Sequence, residues 1–156
     1  MPDPDDKIPR QGDRVTFTED HCFVCGKKNP IGLHLTFDLD REKNRAQSQV
    51  VFKPEHQGWD GVVHGGLLAS VLDDVMAYAL MTLDRMGITT RMNIAYRKAV
   101  KVGETLYLEG TIEEIKSRIA RVKAVGYTLD NGNRTVRVEA EGTYFLDMPK
   151  GVDEDE

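Results

Sequence analysis

At 156 residues, with 40% apolar and 30% charged side chains, the chain is long enough for one domain around a single sizeable core. The net charge of −5, carried largely by Asp3, Asp5, Asp6 and the closing Asp153, Glu154, Asp155 and Glu156, argues against nucleic-acid binding, which needs clustered Lys and Arg. The opening MPDPDDK lacks the basic-then-apolar pattern of a signal peptide, and Cys22 and Cys25 are too few for a disulfide framework, so a cytoplasmic protein without membrane attachment is expected.

Residues 1–20 read as a flexible N-terminal segment, 21–148 as the folded domain and 149–156 as an acidic tail. Leu33, Leu35, Phe37 and Leu39 alternate with His34, Thr36, Asp38 and Asp40, the period of a half-buried strand. Asp40 to Asn44 reads as a turn into a second strand near 45–52. A Gly-rich polar loop over 53–63 leads into a long apolar helix, roughly 65–84, with Gly87 suited to its C-terminal stop. Gly65 to Leu83 contains only two charges, Asp73 and Asp74, and these sit near its middle. Two adjacent carboxylates there would cost several kcal/mol in a bilayer, so the segment reads as a buried helix, not a membrane span.

Beyond Gly87 the period becomes that of strands. Ile88, Thr90, Met92, Ile94 and Tyr96 share one face, and Leu106, Leu108 and Ile112 share a face after the turn at Val102-Gly103. Strands over 118–129 and 134–146 join through Asp130-Asn131-Gly132-Asn133, a strong hairpin signal. Two strands, one helix and four strands imply an α+β fold. A helix apolar nearly all round needs cover on most sides. One twisted antiparallel sheet covers one side, and a second subunit across a two-fold is the commonest way to supply the rest.

His64-Gly65-Gly66 opens that helix. Free N–H groups at a helix start carry positive partial charge and can stabilise a developing oxyanion, and glycine lets a ligand approach. A flexible cap needed for tight packing fits the same residues. Asp73 has Ala69, Ser70, Met76 and Ala77 as helical neighbours, a setting that is costly for a carboxylate unless it is paired or employed. Backbone donors or Ser70 could satisfy it, and the adjacent Asp74 competes for the role. Gly65 and Asp73 are eight residues apart, so about 12 Å along one helix axis. If both serve one reaction, they come from different subunits, giving two equivalent sites per dimer.

These residues resemble those of the hotdog-fold acyl-CoA thioesterases of the 4-hydroxybenzoyl-CoA thioesterase superfamily, in the phenylacetic-acid-degradation-type branch. The resemblance spans roughly 22–147. It rests on His64-Gly65-Gly66 followed by Asp73, on Met92-Asn93-Ile94-Ala95-Tyr96, and on Val102-Gly103-Glu104 at the next turn. Cys22-Phe23-Val24-Cys25-Gly26, Asn29-Pro30, Gly32-Leu33, His56-Gln57-Gly58 and Gly61-Val62-Val63 fit a subgroup of the same proteins.

The resemblance implies a hotdog fold, one central helix wrapped by about six antiparallel strands, in a homodimer that can pair into a tetramer. It implies hydrolysis of an acyl-CoA thioester, with the Gly65 N–H on the carbonyl and the partner's Asp73 acting as general base or nucleophile. Gly66 belongs to the same turn, His64 lies near the carbonyl as contact, acid or cap, and Thr89 falls where relatives carry a hydroxyl that positions water. Relatives often hold the carbonyl with an Asn before the His. Here that position is Gly58, and Gln57 is the nearest amide. Asn93 joins Gln57 as a polar substrate contact. No cofactor is implied beyond the CoA of the substrate. A hydratase or dehydratase, or a non-catalytic CoA-ester binder, remains open on the same fold.

Arg91, Arg97, Lys98, Lys101, Arg118 and Arg121 offer cations for the CoA phosphates, although solvated strand faces look the same. Trp59 and Met76 could line an acyl pocket or simply pack. Cys22-x-x-Cys25 beside His21 is an incomplete zinc set, so no metal is expected and a reduced dithiol is the simpler reading.

Overall fold

The computed structural model describes residues 21–146 and the backbone of Arg14 and Val15. The rest of the segment expected to be flexible over 1–20, and the acidic tail at 149–156, lie outside the described residues. The elements in chain order are β1 (Arg14–Val15), β2 (Phe37–Asp40), β3 (Arg45–Val51), a single 3-10 turn (Pro54–His56), α1 (Gly65–Met81), β4 (Gly87–Tyr96), β5 (Thr105–Lys116), β6 (Ile119–Asp130) and β7 (Asn133–Leu146). The strands form one antiparallel sheet in the order β1-β2-β3-β5-β6-β7-β4, and α1 lies against its inner face. This is the expected α+β hotdog arrangement, with the two-residue β1 added at one edge. Among the described residues no helix is long and apolar enough to cross a membrane.

The hairpin between β6 and β7 closes as its sequence requires. Asn131 (φ 53°) and Gly132 (φ 80°) both occupy the left-handed region, the two-residue turn whose twist matches the strands it joins. The end of α1 differs from expectation. The helix stops at Met81, and Asp84, not Gly87, takes the left-handed conformation (φ 56°). The Asp84 N–H donates to Met81 O (3.0 Å) and the Arg85 N–H to Leu80 O (3.3 Å), the paired bonds of a Schellman stop. Gly87 instead opens β4, where a Cβ would press on Leu80, Tyr144 and Leu146.

A bulge corrects the expected face of β4. Its pairing with β7 slips between Thr89 and Arg91, so that Thr89 lies opposite Tyr144 while Met92 and Ile94 lie opposite Gly142 and Ala140. One extra residue reverses the alternation across the bulge. Thr89 therefore turns inward with Met92 and Ile94, and Ile88, read as sharing their face, is exposed.

The core lies between α1 and the sheet. Leu68, Val71, Leu72, Val75, Met76, Tyr78, Ala79 and Leu80 are buried on the helix, against Phe37, Leu39, Leu106, Leu108, Val122, Val138 and Leu146 on the strands. Tyr78 stacks on Phe37 with ring centroids 3.9 Å apart. Met76 is wholly enclosed, which makes it a packing residue in this protomer. Helix and sheet approach closely at Gly110 of β5, where a Cβ would sit 2.6 Å from the Val75 carbonyl oxygen. That oxygen belongs to the helix backbone and cannot swing aside. Gly110→Ala is expected to destabilise the fold by about 1–3 kcal/mol, the cost of overpacking. A lowered urea midpoint with unchanged slope would show it, and an unchanged midpoint would mean that α1 is not seated this close.

Candidate active site

The loop before α1 is held from three directions. The Gly58 N–H donates to Val62 O (2.9 Å), the Val63 N–H to Val100 O (2.8 Å) and the His64 N–H to His56 O (3.0 Å). The Gln57 carboxamide oxygen accepts from the Gly61 N–H (2.9 Å), so that end of Gln57 braces the turn. His64 is the N-cap, its backbone extended at φ −59° and ψ 130°, and its Nδ1 accepts from the Gly66 N–H at 2.9 Å. The His64 carbonyl accepts from the Leu67 and Leu68 N–H groups. Of the first turn's donors, only the Gly65 N–H takes no acceptor among the described residues. The Gly65 carbonyl is engaged by the Tyr96 hydroxyl at 2.8 Å. Beside this start lies a cleft of about 360 Å³ lined by Gly58, Trp59, Val63, His64 and Gly65, with Trp59 86% exposed. The fold thus leaves the Gly65 donor free and spends that of Gly66 on the cap.

Asp73 sits two turns along, half-buried. Its Oδ1 accepts from Thr89 Oγ1 at 2.6 Å and from the Tyr144 hydroxyl at 2.8 Å. Tyr144 is fully enclosed on β7. Burial and the adjacent Asp73 carboxylate push its phenol well above the ordinary tyrosine range, so it remains a protonated donor at any working pH. Thr89 reaches Asp73 only because the β4 bulge turns it inward. Ser70, the alternative partner, bonds back to Gly66 O at 2.9 Å instead.

Tyr144 is the residue that the sequence reading missed. Its signal was present: it shares the inward parity of Val138, Ala140, Gly142 and Leu146, and a buried tyrosine tip needs a partner. Asp74 points elsewhere, with Oδ1 4.0 Å from Cys22 Sγ. Cys25 is buried beside them. Its contact with Cys22, its burial and the Asp74 carboxylate all push its thiol up, which is the opposite of an activated thiolate.

The remaining candidates divide. Asn93 and Arg97 lie on the outer face of the sheet, in a groove of about 500 Å³ shared with Glu109, Lys123, Glu139 and Glu141. There Arg97 is paired with Glu139 through Nε (3.0 Å) and Nη2. Arg91 is exposed and pairs with Thr143, in the same outward register as Asn93 opposite Glu141. Arg97 and Lys98 follow Tyr96, next to the helix start. Arg118 lies at the opposite end of the sheet, where its carbonyl accepts from the Leu146 N–H. One protomer therefore brings together Asp73 with Thr89, and His64 with Gly65 and Gly66, but it gathers neither these two groups nor the cations into one place.

A model of the thioesterase superfamily matches residues 60–140, just over half the chain, which includes His64, Gly65, Asp73 and Thr89. The human protein Acyl-coenzyme A thioesterase 13 is 29% identical over 89 residues, 52% of this chain and 64% of that protein. A crystal structure of a thioesterase superfamily protein superposes with a TM-score of 0.73 at 25% identity, covering 80% of this chain and 60% of that one. A hypothetical thioesterase protein from Streptococcus pneumoniae, solved with coenzyme A, shares the fold with a TM-score of 0.60 at 20% identity, covering 65% of this chain and 80% of that one. The matched stretch thus spans less than two thirds of the human relative and of the first of these crystal structures. The chain belongs to the thioesterase superfamily.

Proposed function

We propose that the protein hydrolyses an acyl-CoA thioester to a carboxylic acid and free CoA, as a cytoplasmic homodimer with two sites, each built from both subunits. The observation that carries this reading is the Asp73 carboxylate, held by Thr89 and Tyr144 on a helix whose start keeps one N–H donor free. The human relative is named an acyl-coenzyme A thioesterase and the pneumococcal structure contains coenzyme A, which supports CoA as the leaving group here. Two free cysteines support a reducing compartment.

What a single protomer leaves open supports dimerisation. Among the described residues, the ten-residue β4 ends the sheet order and pairs on one side only, with β7. Ile88 and Tyr96 at its two ends are exposed, and the helix stripe Ser70, Asp73 and Ala77 is only partly covered. A second copy against this edge buries both. It also resolves the distance problem, since Gly65 and Asp73 stand about 12 Å apart along one axis and meet only across a two-fold.

The chemistry divides between the two elements. Thr89 and Tyr144 both donate to Oδ1 of Asp73, which leaves Oδ2 to accept a proton from water as that water attacks the thioester carbonyl. The carbonyl oxygen becomes an oxyanion on the Gly65 N–H, strengthened by the positive end of α1. Collapse of the tetrahedral intermediate breaks the carbon–sulfur bond and expels CoA thiolate, a leaving group good enough to need no acid. His64 shapes this start by capping it. Arg97 and Lys98 follow Tyr96, whose hydroxyl holds the Gly65 carbonyl, and are the basic candidates proposed for the CoA phosphates, with Arg97 exchanging Glu139 for a phosphate.

A thiol-release assay over a panel of acyl-CoAs tests this. Asp73→Asn is expected to lower kcat by about 10²–10⁴-fold, the usual worth of a general base, with the dimer intact by sedimentation. Tyr144→Phe and Thr89→Val each remove one donor to Asp73 and are expected to lower kcat by about tenfold, in the range of a hydrogen bond to a charged group. Loss of activity in Asp74→Asn but not in Asp73→Asn would make Asp74 the base and overturn the assignment to Asp73. Hydration of an enoyl-CoA without thiol release, or binding without turnover, would overturn the reaction itself.

A further inference from the structure

The two adjacent acids of α1 leave the helix about 100° apart, and Asp74 is directed at the segment before β2. There Cys22 Sγ, Cys25 Sγ and an Asp74 carboxylate oxygen all lie within 4.8 Å of one another, with Cys22 to Asp74 at 4.0 Å. Cys25 is 3% exposed and the other two are half-buried. The sequence offered two thiols and His21 as an incomplete set. The fold leaves His21 out of the cluster and supplies a third donor from 49 residues beyond Cys25.

The backbone that carries the thiols is held by the fold itself. The Gly26 N–H donates to Cys22 O at 2.9 Å and closes the Cys22-Phe23-Val24-Cys25 turn. The Leu33 and Leu35 N–H groups donate to Phe23 O and Val24 O, both at 2.8 Å, and pin that turn against the chain entering β2. Asp74 is equally fixed, because it rides on the core helix.

We propose that Cys22, Cys25 and Asp74 form a binding site for a zinc-class divalent cation, which ties the 22–26 turn to the middle of α1. A point central to three donors that lie no more than 4.8 Å from one another is within about 2.8 Å of each, close to the bond lengths of about 2.3 Å to thiolate and 2.0–2.2 Å to carboxylate. Two thiolates with one carboxylate select zinc over magnesium or calcium, which take all-oxygen sets. Binding displaces the two thiol protons, and water completes four-coordination. A cation here neutralises the carboxylate that burial would otherwise penalise. It also commits Asp74 to the turn and leaves Asp73, one residue away, as the acid that faces β4 and β7. The site is a clamp, separate from the proposed hydrolysis, and the two stand or fall independently.

The test uses the full chain, reduced and stripped with EDTA. Titration with Co²⁺ is expected to give a thiolate-to-cobalt charge-transfer band that saturates at one equivalent per chain, and Zn²⁺ is expected to abolish the band by displacement. Zn²⁺ should also raise the unfolding midpoint of the wild type. Cys22→Ser, at a half-buried position, should lose both effects while keeping its circular dichroism spectrum. Asp74→Asn should weaken Co²⁺ affinity by at least about tenfold, the loss that removing even a ligand's outer hydrogen-bond partner causes, and His21→Ala should leave it unchanged. Absence of the band in protein with two titratable thiols overturns the proposal. A band lost in His21→Ala and kept in Asp74→Asn overturns the ligand set.

Discussion

The structure depends on how one carboxylate is satisfied on an apolar helix. Asp73 has core-facing neighbours and cannot be hydrated on all sides, so it needs donors from the sheet. The Tyr144 and Thr89 hydroxyls supply them. Hydrogen bonds to a charged group contribute about 1.5–3 kcal/mol each, a large share of the 5–15 kcal/mol that separates a folded domain from its unfolded chain. Those bonds constrain the sheet in turn. β4 must carry its bulge for Thr89 to face inward, and β7 must bring Tyr144 opposite it, which the Thr89–Tyr144 pairing does.

The helix start is specialised in a different way. Capping by His64 Nδ1 consumes the Gly66 N–H, so the turn offers one directed donor and not a fan of them. The Tyr96 hydroxyl on the Gly65 carbonyl steadies that peptide from the end of β4. The same strand therefore braces both halves of the proposed site, with Thr89 near one end and Tyr96 at the other. An edge strand that does this for its own protomer is also the strand along which a second copy would align, so the proposed catalysis and the proposed assembly share β4.

Much of this was legible in the residues. The glycine turn, the long apolar helix with acids at its middle, and the Asn131-Gly132 hairpin follow from local chemistry, because each is set by residues within a few positions of one another. The features that escaped are set at a distance. No local pattern announces that the Leu80–Arg85 turn closes on a left-handed Asp84 instead of on Gly87. The bulge before Arg91 inverts a face that simple alternation had assigned, and Ile88 went outward with it. Tyr144 and Asp73 are 71 positions apart, and Cys22 and Asp74 are 52. Both pairings arise from which strand and which turn pack on which side of α1, and only the assembled sheet decides that.

The central claim is that the Gly65 N–H of one subunit and the carboxylate of Asp73 of the partner subunit serve one thioester. Proline tests it cleanly at position 65, because it removes the N–H yet suits the first helical position, and His64 already holds the extended backbone that precedes proline. Gly65→Pro and Asp73→Ala homodimers should each be inactive. Mixed dimers of the two variants regenerate one native site of two, so thiol release should return to about half the native rate per dimer. Mixed dimers that stay as inactive as their parents would place both groups in the same protomer's site, or in no common site, and would contradict the account.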